Sequence, residues 1–350
     1  MDTSSEIAGL AEHFAGGPAI FTTSPLYRGL CPVVADDPPT LDLLTKRRAG
    51  QQASYLFFGV VHHLLLAGAP HPLRTFYPSV VGEAARDPAG AGPVLIDFCR
   101  LYRDELVGLI RTRLVQTNVV RRAVALRFAL WAIGRSCTEA VHLIEIGASA
   151  GMLLHVDRYR YLIGDEDFGD PGATVAVDSQ WRGRQPPPDL DDVPPIASRI
   201  GVDLNPLNVT DAGDRRWLRA LVWPEDLTEA VLLDAALDEL AKDPPTIIAG
   251  DAIDVCPALS RDLPAGEPRV VFHAATRMHV PAERRPAFDG AIDSLGDDGP
   301  LYHAWLEPPS APHHPYPGGR PGVLAFHGPD GREPSPLVVV DGHLHWCAEL

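Results

Sequence analysis

Two patterns of apolar and polar positions follow one another along the chain, and the change lies near residue 138. Before it, apolar residues recur at spacings of three and four, as on one face of an α-helix. The segments with this spacing are 7–14, 41–44, 53–66, 94–114 and 119–133. Prolines separate several of them. We therefore predict an all-helical N-terminal lobe over residues 1–137.

From residue 138 to residue 350, short apolar runs alternate with helical stretches. The runs are 143–146, 200–204, 246–249, 270–272, 301–306, 323–326 and 337–340. Strands that alternate with helices predict parallel βαβ units, so an α/β domain is expected here. The last two runs are joined by a turn rich in Gly and Pro, which predicts an antiparallel terminal hairpin. An acidic, Pro-rich stretch predicts an insertion at about 160–197.

The glycine-rich segment 145–151, with the sequence EIGASAG, carries the first chemical signal. We predict that a strand ends near Glu145, that a tight turn contains Gly147 and Gly151, and that a helix begins near residue 150. Glycines suit such a turn because it needs unusual φ angles and lets a ligand approach bare backbone. The pattern resembles the first motif of S-adenosylmethionine methyltransferases, with Ser149 where that family often has its middle glycine.

Two later strand ends extend this resemblance. Segment 199–206 resembles the second motif of the same methyltransferases, in which Asp203 would bind the ribose hydroxyls. Segment 247–252 resembles the third motif, in which Asp251 and the backbone N–H of Ala252 would hold the adenine. Three acids that close strands in this order predict a Rossmann-like, methyltransferase-type, mostly parallel sheet that binds S-adenosylmethionine.

The spacing of these motifs leaves one choice open. About fifty residues separate the glycine turn from Asp203, whereas a compact βαβ unit needs roughly twenty. The insertion at about 160–197 has to supply the excess. Otherwise the apolar run 174–178 is the rival second strand, and Asp178 is the rival ribose ligand.

The same turn also has the pattern G-x-S-x-G, which is the nucleophile elbow of α/β-hydrolases. A serine hydrolase would use Ser149 as nucleophile, with Asp251 or Asp341 and His343 as partners. No HGG-type oxyanion segment precedes the turn, and a helical lobe stands where a hydrolase has strands. The residues favour the methyltransferase, and the hydrolase stays as an alternative. A third alternative is a regulatory protein that binds a nucleotide without catalysis.

Candidate catalytic and substrate-binding residues lie outside the glycine turn. His273 and Glu307 are expected at the ends of the fourth and fifth strands, where a base could take a proton from the methyl acceptor. Gln116 and Asn118 in the helical lobe are candidates for binding the substrate or the methionine end of the cofactor. Such amides also commonly cap helices.

Composition narrows the class of partner. The formal net charge of −16 opposes binding to nucleic acid or to an anionic membrane, so a small-molecule substrate is expected. Five scattered cysteines and a start without a signal-peptide pattern predict a reduced, cytoplasmic protein. The fourteen histidines show no metal-binding spacing, and no metal is predicted. The acceptor and the oligomeric state are left open.

Short motifs spread over nearly the whole chain resemble a bacterial family of uncharacterised proteins, domain-of-unknown-function family 2332. The motifs are SPLY at 24–27, HPL at 71–73, YPS at 77–79, TR at 112–113, VQTN at 115–118, EIGASAG at 145–151, DRY at 157–159, GDP at 169–171, RG at 182–183 and RWL at 216–218. The resemblance implies no particular reaction.

Overall fold

The computed structural model describes residues 3–116, 119–307, 322–330 and 335–349. Its chain forms two compact units. The first comprises Met1–Thr117 with Thr210–Asp234, and the second comprises Asn118–Val209 with Ala235–Leu350. The first unit is helical, whereas every described strand belongs to the second unit.

Each of the five predicted helical segments overlaps one or two of the helices in the described residues. In chain order they are α1 (Thr3–Ala15), α2 (Pro25–Ala35), α3 (Pro38–Leu44), α4 (Ala53–Leu66), α5 (Pro78–Val81), α6 (Ala91–Leu101), α7 (Arg103–Thr112), α8 (Ala123–Gly134), α9 (Ala212–Leu221), α10 (Leu227–Lys242), α11 (Ala252–Asp262) and α12 (Arg285–Asp293). The predicted helix 94–114 is divided at Tyr102 into α6 and α7.

Local capping and aromatic packing explain why the first unit folds as it does. Ser24 caps α2 by accepting a hydrogen bond from the backbone N–H of Tyr27, and Pro25 occupies the first helical position, where no donor is lost. Helix α4 is buried along most of its length. Its Phe58 stacks on Tyr27 with ring centroids 4.3 Å apart. This stack anchors α2 to α4.

Within the described residues the strands are eleven. They are β1 (Val141–Ile146), β2 (Arg160–Ile163), β3 (Glu166–Gly169), β4 (Ala176–Trp181), β5 (Ile196–Asp203), β6 (Thr246–Ala249), β7 (Arg269–Ala274), β8 (Leu301–Glu307), β9 (Gly322–His327), β10 (Ser335–Val340) and β11 (Trp346–Glu349). Each of the seven predicted apolar runs coincides with one of these strands, although the run 200–204 extends one residue beyond β5.

The strands form one sheet in the order β3-β2-β4-β11-β10-β9-β8-β7-β1-β5-β6. The five strands from β6 to β8 are parallel to one another. Strand β9 is antiparallel to β8, and β10 is antiparallel to β9. The prediction of a mostly parallel α/β sheet with an antiparallel terminal hairpin is therefore confirmed. The acidic stretch after residue 160 contributes β2, β3 and β4 to the sheet, so it is not simply a surface loop.

Helices α11 and α12 cover one face of the parallel strands. Ile144 of β1, Val271 of β7 and Leu301 of β8 pack there against Cys256 and Phe288. Burial of each large apolar side chain contributes about 1.5–3 kcal/mol. This packing holds the carboxyl ends of the strands in place.

The predicted α-helix after the glycine turn is wrong. A 3₁₀ segment, Met152–Arg158, stands there, and its backbone is non-helical at His155. The hydroxyl of Tyr159 donates to the carbonyl oxygen of Met152 over 2.6 Å. The hydroxyl of Tyr161 donates to the carbonyl oxygen of Val156. Both carbonyls would be acceptors within a longer helix. The tyrosine hydroxyls thus replace the backbone N–H donors of a longer helix, and the chain enters β2 at residue 160.

Candidate functional site

The carboxyl ends of β5, β1, β7 and β8 lie side by side at one edge of the sheet. In parallel sheets this edge is where ligands bind. It carries Glu145, Asp203, His273 and Glu307, four of the residues predicted from sequence. We call these four residues, with the turn 147–151, the carboxyl-edge site.

The glycine turn has the backbone geometry that the sequence predicts. Gly147 and Gly151 have φ angles of +78° and +84°, and Ser149 has a φ of +54°. A Cβ atom at Gly147 would lie 2.3 Å from Oγ1 of Thr276, and one at Gly151 would lie 2.8 Å from Cγ of Pro245. The glycines are thus required by φ and by close packing of the protein itself.

The backbone donors of this turn are largely engaged within the protein. The N–H groups of Gly147 and Ala148 both donate to the carbonyl oxygen of Val202, over 2.8 and 3.2 Å. The N–H of Gly151 donates to the carbonyl of Ala148. In addition, a 3₁₀ segment of seven residues replaces the expected helix. Any ligand here would therefore rely on side chains more than on turn amides, contrary to the sequence-based expectation.

Asp203 occupies the strand end next to the glycine turn. Its Oδ2 accepts the N–H of Ser149 and its Oδ1 accepts the N–H of Asn205, both over 2.7 Å. The rival Asp178 lies on β4, which pairs with β2 and β11 and not with β1. Its side chain is 65% exposed and pairs with Arg121. Of the two acids, Asp203 is the one beside β1.

Asp251 and Ala252 follow β6 as predicted, but the carboxylate of Asp251 has structural partners. It caps α11 by accepting the N–H of Ile253 over 3.0 Å, and it pairs with Arg284 over 2.9 Å. Ala252 is the first residue of α11. The bond to Ile253 is typical of an N-cap residue, so Asp251 has a structural role at the start of α11.

Glu145 is a buried acid of the site whose pKa is strongly raised. It is 4% exposed, and its Oε2 has no hydrogen-bond partner among the described residues. Burial, and then the charge of Asp203, raise the pKa of Glu145 well above its usual value, while Arg122 acts in the opposite direction. Burial lowers the pKa of Arg122, against the charges of Glu307 and Glu145. One guanidinium thus interacts with carboxylates from two strands.

His273 and Glu307 form a directly bonded pair. Nδ1 of His273 lies 2.7 Å from Oε1 of Glu307, which also accepts the N–H groups of Thr276 and Arg277 over 3.0 and 2.9 Å. Burial raises the pKa of Glu307, but the bonds from His273 and the backbone outweigh it, so the pKa lies below its usual value. A carboxylate at Nδ1 keeps the proton there and leaves Nε2 as a proton acceptor.

Sequence reasoning missed a row of aromatic side chains beside this pair. His303 lies opposite His327 in the strand register, and Trp305 lies opposite His273. The ring centroid of His303 is 5.2 Å from that of His273 and 5.3 Å from that of His327. Burial, then neighbouring positive groups, lower the pKa of His303 well below its usual value. The period-two spacing of 303, 305 and 307 could have shown that these residues share a face.

Sequence reasoning also missed Arg122, which directly precedes α8. Of the two candidate substrate residues, Gln116 belongs to the first unit and Asn118 lies outside the described residues, so their role in binding stays a prediction.

The residues proposed for a hydrolase triad do not meet in the structure. Oγ of Ser149 is buried and has no hydrogen-bond partner in the described part of the chain. Asp341 and His343 lie in the turn between β10 and β11, and Asp341 bonds to His345 over 3.1 Å. Four strand spacings, about 19 Å, separate β1 from β10. Asp251, the other candidate acid, caps α11.

A small cavity of about 220 Å³ adjoins the glycine turn. Its lining residues are Ala150, Pro206, Leu207, Asn208, Val209, Pro244, Pro245 and Ile247. Seven of these eight residues have apolar side chains, and Asn208 is the polar one. Leu204, which directly follows Asp203, is 75% exposed and adds apolar surface at the end of β5.

In the described part of the chain, no three His, Cys, Asp or Glu side chains are grouped so as to hold a metal ion. Nor does any helix described there have the length and apolar character needed to cross a membrane.

Comparison with protein families gives a match over most of the chain. The model of a family described as "Uncharacterized protein conserved in bacteria (DUF2332)" matches residues 12–347. No curated protein matches the chain.

Proposed function

We propose that this chain, which belongs to the bacterial family of uncharacterized proteins DUF2332, binds S-adenosylmethionine at the carboxyl-edge site and transfers its methyl group to a small acceptor. The observation that carries the proposal is the strand order β6-β5-β1-β7-β8 followed by antiparallel strands, with Glu145 and Asp203 at neighbouring strand ends. This arrangement resembles a Rossmann-like, methyltransferase-type sheet.

The topology supports a ligand site between β1 and β7. The chain leaves β1 toward β5 on one side and later returns to β7 on the other side, so the strand order reverses there. Open α/β sheets bind ligands in the crevice at such a point. The hydroxyl of Thr276, after β7, donates to the carbonyl oxygen of Ile146 over 3.2 Å and sets the two loops against each other.

The charges support a ligand that carries positive groups. Glu145 and Glu307 interact with the guanidinium of Arg122, Glu307 also interacts with that of Arg277, and Asp203 adds a third carboxylate at the same edge. A cation would favour the ionised form of Glu145, whose Oε2 has no partner among the described residues. Each oxygen of Asp203 can accept more than one hydrogen bond, so ribose hydroxyls can add to its backbone bonds.

S-adenosylmethionine would supply an electrophilic methyl group at this site. The role that this chain's own residues can take is to hold and move a proton. Nε2 of His273 accepts a proton from the acceptor group, and Glu307 at Nδ1 orients the ring and stabilises the imidazolium. The net charge of −16 favours a small acceptor over a nucleic acid.

Calorimetric titration of the full chain with S-adenosylmethionine tests the proposal, with NAD and ATP as controls. We expect micromolar binding of S-adenosylmethionine alone, and at least tenfold weaker binding by Glu145→Gln. Glu283→Gln, at an exposed position, is the matched control and should bind as the wild type does. Equal heats from all three nucleotides, or none from S-adenosylmethionine, would refute the cofactor assignment.

Methyl transfer needs a second measurement, because a regulatory protein could bind the cofactor without turnover. Slow release of S-adenosylhomocysteine in the presence of a mixed small-molecule extract, abolished by His273→Ala, supports catalysis. Binding without any such release supports the regulatory alternative.

A further inference from the structure

A second polar cluster lies in the first unit, among residues that the proposed function does not use. It includes Tyr27 and Tyr77, from the SPLY and YPS motifs. Their exposures are 2% and 0%, and their hydroxyls have no hydrogen-bond partner among the described residues. The ring centroids are 6.3 Å apart. Buried hydroxyls without partners are costly and rare, so this pair needs a physical reason.

Glu225 provides the charge of this cluster. Its Oε2 accepts the hydroxyl of Ser24 over 2.7 Å, and its Oε1 accepts the N–H of Leu26 over 2.8 Å. Both donors are neutral, and no cationic side chain among the described residues pairs with this half-buried carboxylate. Burial raises the pKa values of Tyr27 and Tyr77, and the charge of Glu225 raises them further. The phenols therefore lie near the carboxylate.

Glu225 also lines a cavity of about 420 Å³. The wall of this cavity is formed by Pro25, Phe76, Pro78, Ala85, Arg86, Asp87, Pro88 and Glu225. Three of these residues are sequence neighbours of the cluster: Pro25 lies between the two donors to Glu225, and Phe76 and Pro78 flank Tyr77. Aromatic and proline rings thus stand beside a carboxylate that forms no ion pair within the described residues.

His62 completes the cluster, and both of its ring nitrogens have partners. Nδ1 of His62 lies 3.0 Å from the carbonyl oxygen of Ala220, and its Nε2 lies 2.7 Å from Oγ of Ser79. Burial lowers the pKa of His62 to about 3, so the ring carries no charge at neutral pH. Its centroid is 5.4 Å from that of Tyr77. The histidine therefore holds the phenol in place without neutralising Glu225.

We propose that this cavity binds a small organic amine, with the ammonium group against Glu225 and the apolar body against Pro25, Phe76 and Pro78. An ammonium supplies the positive charge that the neutral donors of Glu225 do not. Neither Tyr27 nor Tyr77 lines the cavity, so the proposed polar contact of the ammonium is the carboxylate of Glu225. Arg86 stacks on Phe76 with its guanidinium 4.8 Å from the ring centroid, so that face of the ring already accommodates a cation.

Titration of the full chain with phenethylamine, followed by NMR, tests this proposal independently of the methyltransferase assignment. We expect saturable binding of phenethylamine and none of phenylacetate, which has a similar body and the opposite charge. Glu225→Gln keeps the shape and should weaken binding at least tenfold. Equal binding of both probes, no binding of the amine at millimolar concentration, or unchanged affinity in the variant would overturn the proposal.

Tyr77→Phe separates a binding role from a structural one. Removal of a hydroxyl without a partner should raise the melting temperature of the free protein by a few degrees and leave amine binding unchanged, because Tyr77 does not line the cavity. Tyr102→Phe is the matched control, because its hydroxyl is at the surface and bonds to the carbonyl of Pro70. It should change neither quantity by a comparable amount. Weaker amine binding by Tyr77→Phe would place the ammonium against the phenol and would overturn its assignment to Glu225.

Discussion

The backbone N–H of Ser149 donates to Oδ2 of Asp203 over 2.7 Å, and this bond ties the turn after β1 to the end of β5. The N–H of Asn205 donates to the other oxygen of the same carboxylate. An acid that the sequence assigns to ligand binding therefore also organises the site. Substitutions at these positions have structural effects that can be measured without a ligand.

Asp203→Asn should lower the free energy of unfolding by about 1–3 kcal/mol, because the amide can place an oxygen toward only one of the two N–H donors. Urea-induced unfolding measures this difference. The matched control is Asp297→Asn, at an exposed position, which should stay within about 0.5 kcal/mol of the wild type. Equal effects of the two substitutions would contradict the role given to Asp203.

Ser149→Gly should leave the protein at least as stable as the wild type. Glycine adopts the φ of +54° without strain, which offsets the entropy that it adds to the unfolded chain, about 1 kcal/mol. The neighbouring Ala148→Gly, at a buried position without a positive φ, should lose about 0.5–1 kcal/mol. Denaturant unfolding of both variants provides the comparison. A loss of 2 kcal/mol or more in Ser149→Gly would be inconsistent with backbone strain at this residue.

Ser149 also decides the hydrolase alternative. Because its Oγ is buried and no triad meets it in the described part of the chain, a fluorophosphonate probe should not label the protein. Mass spectrometry of the treated protein measures whether the probe has formed a covalent adduct. A covalent adduct that disappears in Ser149→Ala would instead support a serine hydrolase.

Glu145→Gln should be more stable than the wild type at pH 7, with a difference that shrinks toward pH 4. Burial and Asp203 raise the pKa of Glu145 in the folded protein. Its contribution to stability is therefore complete below the unfolded-state value of about 4.3 and is lost as the pH rises through the folded-state pKa. Melting temperatures between pH 4 and pH 8 test this trend, with Glu283→Gln as control. A variant less stable than the wild type at pH 7 would show that the ionised form is well paired.

Glu307→Gln should show the opposite trend. The pKa of Glu307 is lowered overall, so its stabilising effect is present above pH 4.3 and is lost as the pH falls through the folded-state pKa. Replacement of the charged acceptor of His273 and two backbone N–H groups by a neutral amide oxygen should cost about 1–3 kcal/mol at pH 7. Melting temperatures between pH 4 and pH 8 measure this difference in stability from the wild type. A difference from the wild type that grows on acidification would refute the pairing.

Much of the second unit could be predicted from local patterns. The apolar runs mark seven strands, because a buried strand needs several consecutive apolar residues. The α-helix expected near residue 150 does not form, and the hydroxyls of Tyr159 and Tyr161 bond instead to carbonyls of the 3₁₀ segment. That competition depends on contacts between positions five and seven residues apart and leaves no signature in apolar spacing.

The residues of the candidate site could also be predicted only in part from the sequence. Glu145, Asp203, His273 and Glu307 could be identified because each stands at the end of an apolar run, and parallel strands bring such ends together. The aromatic row of His303, Trp305 and His327 could not, because the register of β7, β8 and β9 decides which side chains are neighbours. A shift of one residue would turn each of them to the other face.

The sequence by itself determined the parallel strands, their antiparallel hairpin and the acids at their ends, since these follow from short-range periodicity. Only the tertiary structure decided that Asp203 and not Asp178 lies beside β1, and that the amides of the glycine turn bond to β5. The pairing of strands far apart in the chain sets both results. It depends on which apolar faces pack together, and no local pattern records that choice.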